Sequence, residues 1–126
     1  MVQVGILGAT GYTGYELVKL LDQHAQSEIV FATSRSSAGQ KMSDLYPCPY
    51  DLALVAPEDA PLDQVDVVFC CLPHGESIAP VRQARKAGAR AVDLSADFRL
   101  RDAAVYEQWY KVNHTATDLL GQAVYG

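Results

Sequence analysis

Few of the features that would fix a function at a glance occur in this sequence. Its three cysteines, Cys48, Cys70 and Cys71, form no C-x-x-C pair and no disulfide framework. The three histidines, His24, His74 and His114, lie far apart, so no metal-binding spacing is present. No apolar run approaches the ~20 residues needed to span a bilayer, and no basic segment with a long apolar stretch opens the chain. A membrane role is therefore not expected, and unpaired thiols point to a reducing cytoplasm. Basic charge is also short, with 10 Lys+Arg against 15 Asp+Glu and a formal net charge of -5. That balance argues against a nucleic-acid partner, which needs a basic face, but it permits a local cationic pocket for a small anion. Repeats, low-complexity tracts and linkers are lacking too, so residues 1–126 are expected to form a single domain.

What is present is an alternation of strand and helix signals. Val2–Leu7 is a largely apolar run of the kind buried on both faces of a parallel sheet. From Tyr12 to His24 the apolar residues shift to helical spacing, with Leu17, Val18 and Leu21 on one stripe. "EIVFAT" at 28–33 reads as a second strand, and the polar "SRSSAGQK" follows it as a loop. "YPCPY" at 46–50 cannot lie inside a helix, because proline removes a donor and extends the residue before it. "LALVA" at 52–56 predicts a short strand at a sheet edge, and "VDVVFCC" at 65–71 a buried one. Adjacent in that strand, Cys70 and Cys71 should face opposite sides of the sheet. "GESIAPVRQARKAG" predicts a helix with Ser77 near its start and Gly88 past its end. A fifth strand is expected at 89–95, a helix at 103–110, and a short helix or turn in "TDLLGQAV". The order predicts an α/β fold with a doubly wound, mostly parallel sheet, the Rossmann-like arrangement of NAD(P)-binding domains.

The chemistry is concentrated in "GATGYTG" at 8–14, between the first strand and the first helix. A helix N-terminus presents unpaired N–H groups and partial positive charge, which attract phosphate. Gly8 would make the turn, Gly11 would admit a pyrophosphate, and Gly14 would let the helix pack against the strand. Thr10, Tyr12 and Thr13, in the same loop, join the expected cofactor contacts. Three glycines alone serve equally well as a tight turn; the strand before and the amphipathic helix after are what select dinucleotide binding. An NAD site usually carries Asp or Glu at the end of the second strand, for the ribose hydroxyl. Here "ATSRSS" supplies Ser34, Arg35 and Ser36 and no carboxylate, so a 2′-phosphate, and hence NADP(H), is expected. Two more loops follow parallel strands. In "CLPHGES", Leu72, Pro73 and His74 would border the cofactor, although His74 stands equally well as a surface residue. In "DLSADFRL", Ser95 would reach the nicotinamide side, and Asp97 with Arg99 reads as a structural ion pair.

Taken together, "GATGYTGYEL", "LPHGES", "DLSADFRL" and "LLGQAVYG" resemble the N-terminal part of the N-acetyl-γ-glutamyl-phosphate reductases, of the semialdehyde dehydrogenase family. The resemblance covers essentially the whole chain and rests on the ordered set of motifs. The aspartate-semialdehyde dehydrogenases share the glycine loop and resemble "TSRSSAGQK", and a sibling group acting on an aminoadipyl phosphate is a further alternative. The resemblance implies NADPH-dependent reduction of an acyl phosphate to a semialdehyde in arginine biosynthesis, through a cysteine thiolate that displaces phosphate. The family's nucleophile lies in an "N-P-G-C-Y"-like segment after the matched stretch, which is not found here. The substrate domain is expected to lie there too, along with the contacts of a homo-oligomer. No residue of this chain is expected to be catalytic, and the chain alone is expected to bind NADP(H) without turnover. A free-standing nucleotide-binding or redox-sensing module is the remaining alternative.

Overall fold

The computed structural model describes residues 1–125. The elements run β1 (Val2–Leu7), α1 (Tyr12–Asp22), β2 (Ser27–Ala32), α2 (Met42–Leu45), β3 (Val67–Cys70), α3 (Ile78–Lys86), β4 (Arg90–Asp93), α4 (Ala103–Tyr110) and α5 (Thr117–Leu120). The four strands form one all-parallel sheet in the order β2-β1-β3-β4. From β1 the chain first steps to one side and later to the other, so the direction of winding reverses between β1 and β3. In open α/β sheets that reversal opens a crevice at the strands' carboxyl ends.

Each face of the sheet carries its own core. Val4 and Ile6 of β1 pack with Val18 of α1, Met42, Tyr50 and Leu54. Leu7, Phe31, Val68 and Cys70 pack with Val81 and Ala84 of α3 on the opposite face. Cys70 and Cys71 divide between these two clusters, as their adjacency requires. Gly5 lies under the Phe31 ring, where a Cβ would overlap the aromatic carbons, and the β1–β2 register shifts between Val4 and Gly5. No helix among the described residues is long and apolar enough to cross a membrane.

Two expectations need correction. The segment 52–56 is not a strand of the sheet: it makes only isolated bridges, Thr33 with Val55 and Lys41 with Ala53. Its backbone is divided between two neighbours. Val55 N–H donates to Ala32 at 3.0 Å, while Leu54 N–H donates to Gln40 and its carbonyl accepts from Gly39. A run this short, closed by Pro57, cannot hold one ladder, so the sheet has four strands rather than five. The second correction concerns α3. Ser77 is its N-cap residue and Gly88 (φ +94°) follows its end, but the serine side chain makes no capping bond. Elsewhere α1 ends at Asp22, two residues early, α2 adds a single turn that the sequence pattern did not signal, and α5 is one turn tied to α3 by a bidentate Arg82–Asp118 pair at 2.9 and 2.6 Å.

Candidate cofactor-binding site

All four strands point their carboxyl ends the same way, so the turns after β1, β2, β3 and β4 share one edge of the sheet. Gly8 leaves β1 with φ +80°, a conformation open to few residues but glycine. A Cβ there would lie 2.5 Å from the Cys71 carbonyl and 2.9 Å from Cδ2 of Leu72. Gly14 is equally constrained, since a Cβ would overlap the Gly8 carbonyl and stand 2.7 Å from Cα of Ala9. Gly11 differs: the nearest atom to its Cβ position is the Gly8 carbonyl oxygen at 4.0 Å. The protein's own packing therefore demands glycine at positions 8 and 14 but leaves a gap at 11, the cradle that a pyrophosphate would need.

Gly11 is also the N-cap of α1 and offers no side-chain cap, and no acidic residue occupies the first turn. The first intrahelical donor is Tyr15 N–H, to Gly11 O at 2.9 Å, which leaves the N–H groups of Tyr12, Thr13 and Gly14 without helical acceptors. Four bonds hold this turn against the end of β2. Ala9 N–H donates to Thr33 O at 2.9 Å, Gly8 N–H to Thr33 Oγ1 at 3.2 Å, and Thr33 N–H to Ile6 O at 2.8 Å. Thr10 Oγ1 and Ser34 Oγ share a hydrogen bond of 3.1 Å. Behind the turn, the Tyr46 hydroxyl donates to Thr10 O at 2.6 Å, with its ring stacked on Tyr15.

Ser34 is buried, and its hydroxyl accepts from Ser37 N–H at 3.1 Å and meets Ser36 Oγ at 3.5 Å, which shapes the loop that carries Arg35. Arg35 is exposed and bonds no other described residue. The carboxylate that reads a ribose hydroxyl in NAD sites has no counterpart at this strand end, which carries Thr33 and Ser34.

The turns after β3 and β4 are joined by a buried carboxylate. Asp97 is fully buried; Oδ1 accepts from Gly75 N–H at 2.7 Å and from the Tyr106 hydroxyl at 2.6 Å, and Oδ2 accepts from Ser77 N–H at 3.0 Å. These bonds fix the turn that leads into α3. Arg99 turns elsewhere, donating to the Tyr110 hydroxyl at 2.7 Å, so the expected Asp97–Arg99 ion pair is replaced by two separate contacts. His74 is exposed, its Nδ1 accepts from Ala96 N–H at 3.2 Å, and its ring lies 5.0 Å from that of Tyr110. Ser95 donates its hydroxyl proton to Asp93 Oδ2 at 2.9 Å, so that donor is committed within its own loop. Leu72 borders Gly8, and Pro73 begins the exposed part of the loop.

Neither cysteine at the end of β3 is poised to attack. Burial pushes the Cys70 thiol far up, and burial followed by the Asp93 charge raises Cys71 to about 11. What sequence reasoning missed are long-range partners: Thr33 and Tyr46 behind the glycine turn, and Asp97, Tyr106 and His114 in the β3–β4 network. "SADF" gave one weak signal, an acid between apolar residues, but its two backbone donors arrive from 22 and 20 residues away.

Residues 3–123 match the family described as "Semialdehyde dehydrogenase, NAD binding domain". The chain is similar to proteins named N-acetyl-gamma-glutamyl-phosphate reductase. It is 51% identical to that of Azotobacter vinelandii over 130 residues, covering 100% of this chain and 38% of the relative. It is 47% identical to that of Pelotomaculum thermopropionicum, covering 99% and 37%. The chain thus spans little more than a third of those relatives. Among solved structures it resembles an aspartate semialdehyde dehydrogenase with NADP from Candida albicans, with TM-score 0.66 and 25% identity over 82% of this chain and 32% of that one. An aspartate semialdehyde dehydrogenase II from Vibrio cholerae, at 22% identity and TM-score 0.67 over 79% of this chain and 32% of that one, has the same fold.

Proposed function

The chain belongs to the semialdehyde dehydrogenase family, whose NAD-binding domain it matches from residue 3 to 123, and on that premise we propose that it is the NADP(H)-binding portion of an N-acetyl-γ-glutamyl-phosphate reductase. In this reading residues 1–126 are the dinucleotide-binding domain of a cytoplasmic enzyme of arginine biosynthesis that reduces an acyl phosphate to a semialdehyde. Substrate binding, the attacking thiol and homo-oligomer contacts belong to the remaining part of such an enzyme. The reductase relatives, at 43–51% identity, favour this substrate over the aspartyl one.

The observation that carries the cofactor reading is the open start of α1. Gly11 leaves room for a pyrophosphate, and the N–H groups of Tyr12, Thr13 and Gly14 supply donors aimed along the helix axis. Gly8 and Gly14 hold that turn in place, and Thr10 fixes it to Ser34. Arg35 and Ser36 would hold the 2′-phosphate, for which a guanidinium offers a fork of donors. Leu72, Pro73 and His74 would line the far side, and Ser95 would stiffen the nicotinamide end. NADPH, when bound, supplies the hydride; this chain's residues bind it, orient it and exclude water from one face.

A fluorescence titration tests this directly. The chain should quench and bind NADPH more tightly than NADH by at least about ten-fold, the minimum worth of a charge-assisted contact. Equal affinity would remove the 2′-phosphate assignment, and no binding of either would remove the cofactor reading. The enzyme reading has its own test in absorbance at the NADPH band, with phosphate, NADP and N-acetylglutamate semialdehyde. The 126-residue chain should be inactive and a chain extended through the rest of the coding sequence active, whereas oxidation of aspartate semialdehyde instead would favour the second substrate.

A further inference from the structure

We propose that Asp97 is a positioning residue for this edge of the sheet: its buried carboxylate clamps the turn after β3 to the turn after β4 and thereby sets the orientation and tautomer of His74. The inference rests on the cofactor reading above for its functional meaning. Its physical argument stands on the network itself.

A fully buried carboxylate is costly unless donors surround it. Asp97 has three donors and, among the described residues, no salt-bridging cation. Two of the donors are backbone N–H groups of the turn that leads into α3, Gly75 and the N-cap residue Ser77. The third is Tyr106, whose hydroxyl is pushed upward first by burial and then by the adjacent carboxylate, so it remains a donor at neutral pH.

Ser77 occupies the N-cap position, yet its hydroxyl is buried without a partner. What Asp97 adds is reach. It joins Gly75 and Ser77 of one turn to Tyr106 of α4, and its own carbonyl bonds Nε2 of His114. The residue before it, Ala96, donates to His74 Nδ1, and the neutral ring then carries its proton on Nε2. The spacing between the two turns is thus set by the carboxylate, and the side chain held by that spacing is the one facing solvent at the cofactor edge. Gly75, at φ +86° with Val112 3.1 Å from its Cβ position, leaves the loop little other freedom.

The test is imidazole 15N spectroscopy of the 126-residue chain at pH 8, with NADPH and NADH titrations alongside. The native chain should show His74 with a bare Nδ1 and a protonated Nε2. Asp97→Asn keeps the volume but places an NH2 group against N–H donors. It should move both nitrogens toward the average of the two tautomers and weaken NADPH and NADH alike, by about five- to thirty-fold. If that variant does not fold, Tyr106→Phe removes one donor of the three and should move the same signals less, in the same direction. An unchanged His74 signature in whichever variant folds overturns the proposal, even where stability falls. A native chain that binds neither cofactor defeats the cofactor reading, and the His74 signature still decides the role of Asp97.

Discussion

The turns after β1 and β3 stand side by side on the sheet, each carries glycine at positive φ, and each opens a helix. They treat the helix start in opposite ways. At α1 the N-terminus is bare: the cap is Gly11, the first turn has no acid, and the cradle is empty of protein atoms. At α3 a carboxylate of the chain itself, Asp97, accepts from the N–H of the N-cap Ser77 and from that of Gly75 before it. One turn has no protein anion beside it, and the other is held by a carboxylate of its own chain. Glycine content alone therefore does not locate a phosphate site; the question is which N–H groups the protein has left unanswered.

The largest way to break this contrast is Gly11→Val. Two methyl groups would fill the gap, so NADPH affinity should fall at least about 100-fold, or ~2.7 kcal/mol. Thermal stability should change by less than ~1 kcal/mol, because only a glycine cap is lost. A titration showing normal binding would mean the bare turn holds nothing. Gly14→Ala addresses the other half of the turn. Here the new Cβ meets backbone that cannot yield, and urea unfolding should show a loss of about 2–3 kcal/mol. If stability instead were unchanged, the close helix–strand approach would be looser than described.

Arg35→Ala sharpens the comparison by separating the two ends of the cofactor. It should weaken NADPH about ten- to a hundred-fold, or ~1.5–3 kcal/mol, and NADH far less. Parallel losses in both titrations would assign Arg35 no part in discrimination. The smallest effect belongs to the turn before α3. An N-cap serine normally contributes about 1 kcal/mol, but the Ser77 hydroxyl is idle. Ser77→Ala should therefore leave the unfolding midpoint within ~0.5 kcal/mol of the native value, or raise it slightly. A full capping loss would show that the Ser77 hydroxyl does cap α3.

The parts of this architecture that sequence made legible are those governed by local rules. β1, β2 and β3 announce themselves by apolar runs, α1 and α3 by helical spacing, and the glycine turn by its place between them. The segment 52–56 misled because a β-rich run says nothing about whether its backbone finds one partner or two. Asp97 and Arg99 misled for a related reason: two residues apart with opposite charge, they looked like a pair, but Asp97 is drawn inward by N–H donors at 75 and 77, and Arg99 to Tyr110. The commitment of Ser95 to Asp93 is short-range and was in principle readable as an Asx-type turn. The contacts of Thr33 and Tyr46 were not, since nothing in their neighbourhood reveals partners 25 and 36 residues off.

The position of β1 in the middle of the sheet has a consequence in time. The whole glycine turn, with its α1 donors and the Thr33 and Ser34 contacts, lies within the first 34 residues and can close as one compact β-α-β unit. β3 adds to the other side of β1 only later, and the Asp97 clamp later still. At 5–20 residues per second the ribosome delivers Asp97 about ten seconds after Gly14. Until β3 emerges, the open side of β1 is an unpaired edge, the kind of surface on which nascent chains associate. Slowing translation between residues 34 and 67 should therefore raise the fraction lost to aggregation, without altering the affinity of the molecules that fold.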